Sequence, residues 1–110
     1  MKIQLITALS NFQVEDAVIE SLTQREFTLH FRALTLGDLV TVLKSCQVEQ
    51  RYLLVLDEVF APNFVELRKL LPEGVSYLIL NGESAPQPEL LFEMAYERLR
   101  RVADKKSSQI

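Results

Sequence analysis

Asp57 is the residue of this chain that is best placed to do chemistry. It ends an apolar run over residues 52–56, and an unbroken apolar run is typical of a strand buried on both faces within a parallel sheet. Open α/β folds bind their ligands at the carboxyl ends of such strands. The Asp57 carboxylate could take part in chemistry there, or it could cap the following turn or meet solvent. Glu58 follows directly and is a second candidate.

Two polar residues, Ser10 and Asn11, follow the first predicted strand. Ser10 and Gln13 have the spacing of a capping box, which predicts the start of a helix. The winding of the predicted sheet reverses between its first and third strands, so residues 8–11 and 57–61 should line a crevice where a ligand could bind. The candidate crevice residues are Ser10, Asn11, Asp57 and Glu58.

The other reactive side chains lack partners that would make a catalytic site. His30 is the only histidine, and without a visible nucleophile it forms no triad, so we expect it at the surface. Cys46 could act as a nucleophile only if a positive environment lowered its pKa, and we expect a half-buried residue instead. The acidic residues Glu15, Asp16 and Glu20 could gather with Asp57 and Glu58 near the mouth of the crevice, and helix capping and solvation account for most of them without a metal. We therefore expect no catalytic residue, no cofactor and no metal site.

Hydrophobic periodicity predicts four strands that alternate with helices. Residues 27–33 alternate with a period of two, which is typical of a half-exposed edge strand. A capping box at Thr35 and Asp38, followed by apolar residues at helical spacing, predicts a helix that ends near Cys46. The remaining elements are a short helix with an apolar face of Phe64, Leu67, Leu70 and Leu71, a fourth strand over residues 75–80, and a last helix from about Pro88.

This alternation indicates an α/β fold of three layers that resembles flavodoxin and receiver domains. We expect a parallel sheet in the strand order 2-1-3-4 with helices on both faces and no fifth strand. The outer edge of the apolar fourth strand then needs cover from the last helix, a second copy of the chain or a following domain. The predicted domain spans residues 1–104, with 105–110 as a tail or the start of an interdomain linker.

Composition excludes several classes of function. A chain of 110 residues has room for one domain, and a net charge of −3 gives no general attraction to nucleic acid or to an anionic membrane. A single cysteine is compatible with a reducing, cytoplasmic location. We find no targeting signal and no apolar segment long enough to span a membrane.

Leu53-Leu54-Val55-Leu56-Asp57 is similar to the phospho-acceptor motif of receiver domains. Receivers hold a magnesium ion with a pair of acids after the first strand, where this chain has Thr7-Ala8-Leu9-Ser10. They also carry a hydroxyl residue after the fourth strand, where this chain has Leu80-Asn81-Gly82, and a lysine after a fifth strand that is missing. Phosphotransfer through Asp57 is therefore an alternative hypothesis, and a small flavodoxin-like enzyme is a second alternative without a nameable nucleophile.

Three segments, over residues 5–9, 32–39 and 54–57, resemble the atypical receiver domain that precedes the P-loop ATPase in CpaE/TadZ-type pilus-assembly and MinD-like localisation proteins. The resemblance covers about residues 3 to 80. It implies a non-catalytic regulatory domain that acts through protein partners or self-association, with ATP hydrolysis in a downstream domain. No Walker-type GxxxxGK[ST] sequence is present, so this chain itself should not hydrolyse ATP.

Two surfaces are candidates for partner contacts. The first combines the fourth strand with the last helix and consists of Tyr77, Leu80, Phe92, Met94 and Tyr96. The second is a basic patch of Arg98, Arg100 and Arg101, which would suit an acidic partner or an anionic surface, or would simply stabilise the end of a helix.

Overall fold

Four strands and three helices have defined bounds in the described part of the chain, and residues 66 and 68–69 are also helical. The computed structural model describes residues 3–47, 49–60, 62, 66, 68–69, 71–72 and 74–108, with residues 101–108 described by their backbone. The elements in chain order are β1 (Ile3–Ala8), α1 (Phe12–Thr23), β2 (Phe27–Arg32), α2 (Leu36–Lys44), β3 (Tyr52–Asp57), β4 (Val75–Leu80) and α3 (Pro88–Ser108).

The sheet is parallel throughout and has the order β2-β1-β3-β4. Every residue of β3 is buried, because β3 pairs on both sides and is covered on both faces. The fold is therefore α/β and flavodoxin-like, with three layers, and the predicted strand order is confirmed. The winding reverses between β1 and β3, which places residues at the ends of these strands on one edge of the sheet.

Alternate residues of the strands enter two separate cores. On one face, Leu5, Leu53 and Leu78 pack against α1 and against Leu91 and Ala95 of α3. On the other face, the core contains the residues Ile6, Leu54, Leu56, Leu39 and Leu43, the last two from α2. We refer to these as the α1/α3 core and the α2 core.

The first residues of α1 and α2 show that one predicted cap was wrong and that another is confirmed. Asn11, not Ser10, caps α1, since its Oδ1 accepts hydrogen bonds from the backbone N–H groups of Gln13 and Val14. Ser10 lies one residue before the cap, and its hydroxyl donates to Asp57. Thr35 caps α2 as predicted, accepting from the N–H of Asp38 at 3.1 Å.

A bulge changes the face that β2 presents. Leu5 pairs with Leu29, but Ile6 pairs with Phe31, so His30 is an extra residue in β2. Leu29 therefore lies beside the α1/α3 core and Phe31 beside the α2 core, and both are more than a third exposed. The prediction of a regular alternation over residues 27–33 was wrong at this point.

The segment between β3 and β4 can be compared with its prediction only in part. Phe64, Leu67 and Leu70 of the predicted short helix lie outside the described residues, whereas Leu71 packs against the α2 core. The last helix begins at Pro88 as expected and continues to Ser108, into the range 105–110 that was predicted as a tail or the start of a linker. None of the described helices is long and apolar enough to cross a membrane.

Candidate functional site

The carboxylate of Asp57 lies at the centre of the predicted crevice and is bound by the chain itself. Asp57 is fully buried. Its Oδ2 accepts from the backbone N–H of Ser10 at 2.7 Å and from the Ser10 hydroxyl at 2.5 Å. Its Oδ1 accepts from the N–H of Val59 at 3.0 Å. The arrangement joins the end of β3 to the loop that follows β1.

The turn after β4 closes over the same carboxylate. The Asn11 side chain donates to the carbonyl of Gly82 at 3.4 Å. A Cβ atom at Gly82 would lie 3.3 Å from Oδ2 of Asp57, a tight contact for any larger residue. The sequence marks Gly82 only as the end of a strand, so this close approach depends on tertiary structure. Three of the four predicted crevice residues, Ser10, Asn11 and Asp57, are thus brought together.

The hydrogen bonds of Asp57 suit a residue that holds loops together better than one that reacts with a substrate. Both carboxylate oxygens already accept hydrogen bonds, which is how a buried charge is stabilised in a protein. The loop after β1 supplies donors at Ser10 rather than the acidic ligands that a magnesium ion requires, so the residues present do not fit that ion. Within the described ranges, no group of three or more His, Cys, Asp or Glu side chains could hold a metal. Glu58 is exposed beside the site.

A second buried carboxylate lies where the sequence analysis expected a helix cap. Glu15 is fully buried; it accepts from the Thr7 hydroxyl at 3.0 Å and from Nε and Nη2 of Arg32 at 2.9 and 2.5 Å. Nη2 of Arg32 also donates to Asp16 at 3.0 Å. The hydrogen bond to Glu15 is the main reason that the pKa of Arg32 is raised. These bonds join β1, α1 and β2.

The position of Glu15 could have been found from the sequence. Glu15 precedes Val18 by three residues and Leu22 by seven, so it lies on the apolar stripe of α1. A charged residue on such a stripe is buried and must be paired. Its partner Arg32 is distant in sequence, and the pairing depends on β2 lying beside β1.

The first predicted contact surface does not exist as a single exposed face. Leu80 and Phe92 are buried in the α1/α3 core, so these two assignments are corrected. Met94 and Tyr96 are half-buried against that core, and Tyr77 packs against the α2 core on the opposite face. Leu80, Phe92, Met94 and Tyr96 take part in the core that joins α3 to the sheet.

Tyr96 anchors α3 to the start of β2. Its ring lies 5.8 Å from that of Phe27 and 6.5 Å from that of Phe92, and its hydroxyl donates to Glu26 at 2.9 Å. Burial is the main reason that the pKa of the hydroxyl is raised. The guanidinium of Arg25 lies 4.1 Å from the centre of the Phe92 ring and adds a cation–π contact at the same place.

The predicted basic patch is divided among different environments. Arg98 is half-buried, with its guanidinium 5.6 Å from the centre of the Tyr77 ring, whereas Arg100 is exposed. The side chain of Arg101 lies outside the described part of the structure. Arg98 therefore has a contact within the domain that the sequence did not indicate.

His30 and Cys46 lie where the sequence analysis placed them. His30 is exposed, with its ring edge-on to that of Tyr52 at 5.5 Å. Cys46 is half-buried and its thiol donates to the carbonyl of Val42 at 3.4 Å. Burial raises the pKa of this thiol, which is opposite to the change that a cysteine nucleophile needs.

An apolar surface that the sequence analysis missed lies at the end of β2 and the start of α2. Eight large hydrophobic residues of the described chain are exposed, and half of them fall within residues 29–36. We give the name β2–α2 apolar surface to Phe31, Leu34 and Leu36; Leu29 is left out because it lies on the opposite face of the sheet, beside the α1/α3 core. Leu29 and Phe31 are exposed because β2 is an edge strand and its bulge turns them to opposite faces.

Comparisons with known proteins do not assign the chain to a family. No protein-family model, no curated protein and no solved structure matches it.

Replacing Asp57 with alanine should destabilise the fold, since the N–H groups of Ser10 and Val59 and the Ser10 hydroxyl would lose their buried acceptor. We expect the free energy of unfolding to fall by about 1.5–3 kcal/mol, measured by urea denaturation. Glu58→Ala, which removes an exposed carboxylate next to it, should change that free energy by less than about 0.5 kcal/mol. Equal, small effects of both substitutions would show that the hydrogen bonds of Asp57 contribute little.

Proposed function

We propose that this chain is a non-catalytic, receiver-like regulatory domain that works through protein contacts. The observation that carries the proposal is the burial of Asp57 with both of its carboxylate oxygens hydrogen-bonded within the chain. The residue at the usual reactive position of this fold thus stabilises the loops of the domain.

Phosphoryl transfer makes demands that this site is poorly suited to meet. An attacking carboxylate oxygen needs open space in line with the leaving group, and the transferred group needs cations to neutralise its charge. Oδ2 of Asp57 lies beneath Ser10 and close to Gly82, and Oδ1 faces the N–H of Val59. An incoming phosphate would have to break these contacts first.

The β2–α2 apolar surface supports the proposal that the domain works through protein contacts. Single exposed hydrophobic residues are common, but neighbouring ones on a folded surface often mark a site of association. Leu34 is 65% exposed, so it contributes little to the core of this chain. A partner that covers this surface would bury it.

The resemblance to CpaE/TadZ-type and MinD-like proteins supports a finer proposal. By that resemblance, the domain belongs to a larger cytoplasmic ATPase or pilus-assembly and localisation factor and contacts the ATPase part of that protein or its assembly partners. The segments that carry the resemblance, over residues 5–9, 32–39 and 54–57, include the strand ends around the Asp57 site and the start of α2.

Incubation with acetyl phosphate and magnesium should leave the intact mass of the protein unchanged. The expectation follows from the burial of Asp57 and from the hydrogen bonds that occupy its oxygens. Asp57→Asn, treated in parallel, is the matched control. A phosphoryl mass gain that occurs in the unaltered protein and is lost in Asp57→Asn would support the phosphotransfer alternative instead.

Replacing Leu34 with aspartate should weaken partner binding without unfolding the domain. The tagged full-length protein would be purified from its own cells, and co-purifying proteins would be quantified by mass spectrometry. Leu90→Asp is the matched control, because Leu90 is 50% exposed on α3, away from this surface. We expect a loss of at least tenfold for Leu34→Asp alone; equal recovery with both variants would exclude the β2–α2 apolar surface as the contact.

A further inference from the structure

The two edges of the sheet are protected to different degrees. β2 contains a bulge and carries His30 and Arg32, features that hinder the addition of another strand. β4 pairs with β3 through six consecutive residues without a register shift, and its sequence, Val-Ser-Tyr-Leu-Ile-Leu, has no charge and no proline. An edge of this kind is a template for pairing with a second strand.

The direction of the backbone groups in β4 identifies the part of the strand that faces outward. The N–H of Tyr52 donates to the carbonyl of Gly74 at 3.1 Å, so Gly74 points toward β3. Alternation then directs the peptide groups of Val75, Tyr77 and Ile79 toward the outer edge, where the N–H of Val75 already donates to the carbonyl of Pro72 at 3.1 Å. The side chain of Ile79 is 39% exposed there.

Arg98 reaches across this outer edge. α3 packs on the face of the sheet that carries Leu78 and Leu80, whereas Tyr77 packs against the α2 core on the other face. The Arg98 guanidinium, from α3, nevertheless lies 5.6 Å from the centre of the Tyr77 ring. Because β3 occupies the inner side of β4, we infer that the Arg98 side chain passes around the outer edge of β4.

We propose that Arg98 guards β4 against pairing with the β4 strand of a second copy of this chain. A strand that docked on this edge would have to displace the guanidinium from Tyr77 or bury its charge, and both changes are unfavourable. The occupant that the guard excludes is a second copy, because two uncharged β4 strands can pair antiparallel without placing like charges opposite each other. This inference concerns the edge of the sheet and does not depend on the function proposed above.

The test compares the masses of Arg98→Ala and the unaltered protein by light scattering after size exclusion, over a range of concentrations. We expect Arg98→Ala to approach about twice the mass of the unaltered protein under the same conditions, as a twofold-symmetric dimer would. Arg100→Ala is the matched control, since it removes the same charge from an exposed position of the same helix. It should behave like the unaltered protein.

A second substitution establishes which edge is involved. Ile79→Lys places a charge on the outer edge of β4 and should return Arg98→Ala to the mass of the unaltered protein. The proposal that Arg98 prevents pairing of β4 is wrong if Arg98→Ala keeps the mass of the unaltered protein or if Arg100→Ala associates equally. It is also wrong if Ile79→Lys fails to reverse the association. Circular dichroism checks folding, and Arg98→Gln, which keeps much of the side-chain stem, replaces Arg98→Ala if the latter does not fold.

Discussion

The Asp57 carboxylate holds together the edge of the sheet at which this fold usually binds ligands. It ends β3, the strand that is buried throughout, and it accepts hydrogen bonds from the Ser10 and Val59 backbones and from the Ser10 hydroxyl. A carboxylate inside a protein is stable only when such donors compensate for its lost hydration. The loop after β1 and the turn after β3 are therefore constrained to approach β3, and Gly82 allows the turn after β4 to approach as well.

Glu15 follows the same physical rule in a different part of the domain. Its donors come from Thr7 and from Arg32, so a single buried carboxylate joins β1 to β2 through α1. Two acidic side chains that could have been catalytic by residue type are thus both engaged by donors of the same chain. This shared use of buried charge is one reason for the proposal of a non-catalytic domain, and the exposed hydrophobic residues at the end of β2 are its candidate contact surface.

The architecture could be predicted from the sequence because it depends on repeated local patterns. The apolar run of β3 and the helical spacing of α2 indicate their structures without knowledge of any partner, and alternation with short connections leaves few possible topologies. The details of the site depend on contacts between distant residues. Asn11 caps α1 while the Ser10 hydroxyl binds the distant Asp57, and the pattern of β2 fails at His30 because one extra residue changes the face of Phe31.

Leu80 and Phe92 show a further limit of sequence patterns. Apolar side chains that cover a core and apolar side chains that await a partner look alike in sequence, and only the position of α3 places these two inside. The same position brings Arg98 to the ring of Tyr77, a contact for which the sequence offers only a cluster of basic residues at the end of a helix.

Amide hydrogen exchange at Ser10 and Val59, followed by NMR, tests the central role of Asp57 most directly. If the carboxylate binds these two N–H groups in solution, both amides should exchange at least tenfold more slowly than unstructured peptides of the same sequence, although they lie in loops. Exchange of both amides at the rate of an unstructured chain would contradict the account, because the Asp57 carboxylate would then be free to react with or bind another molecule.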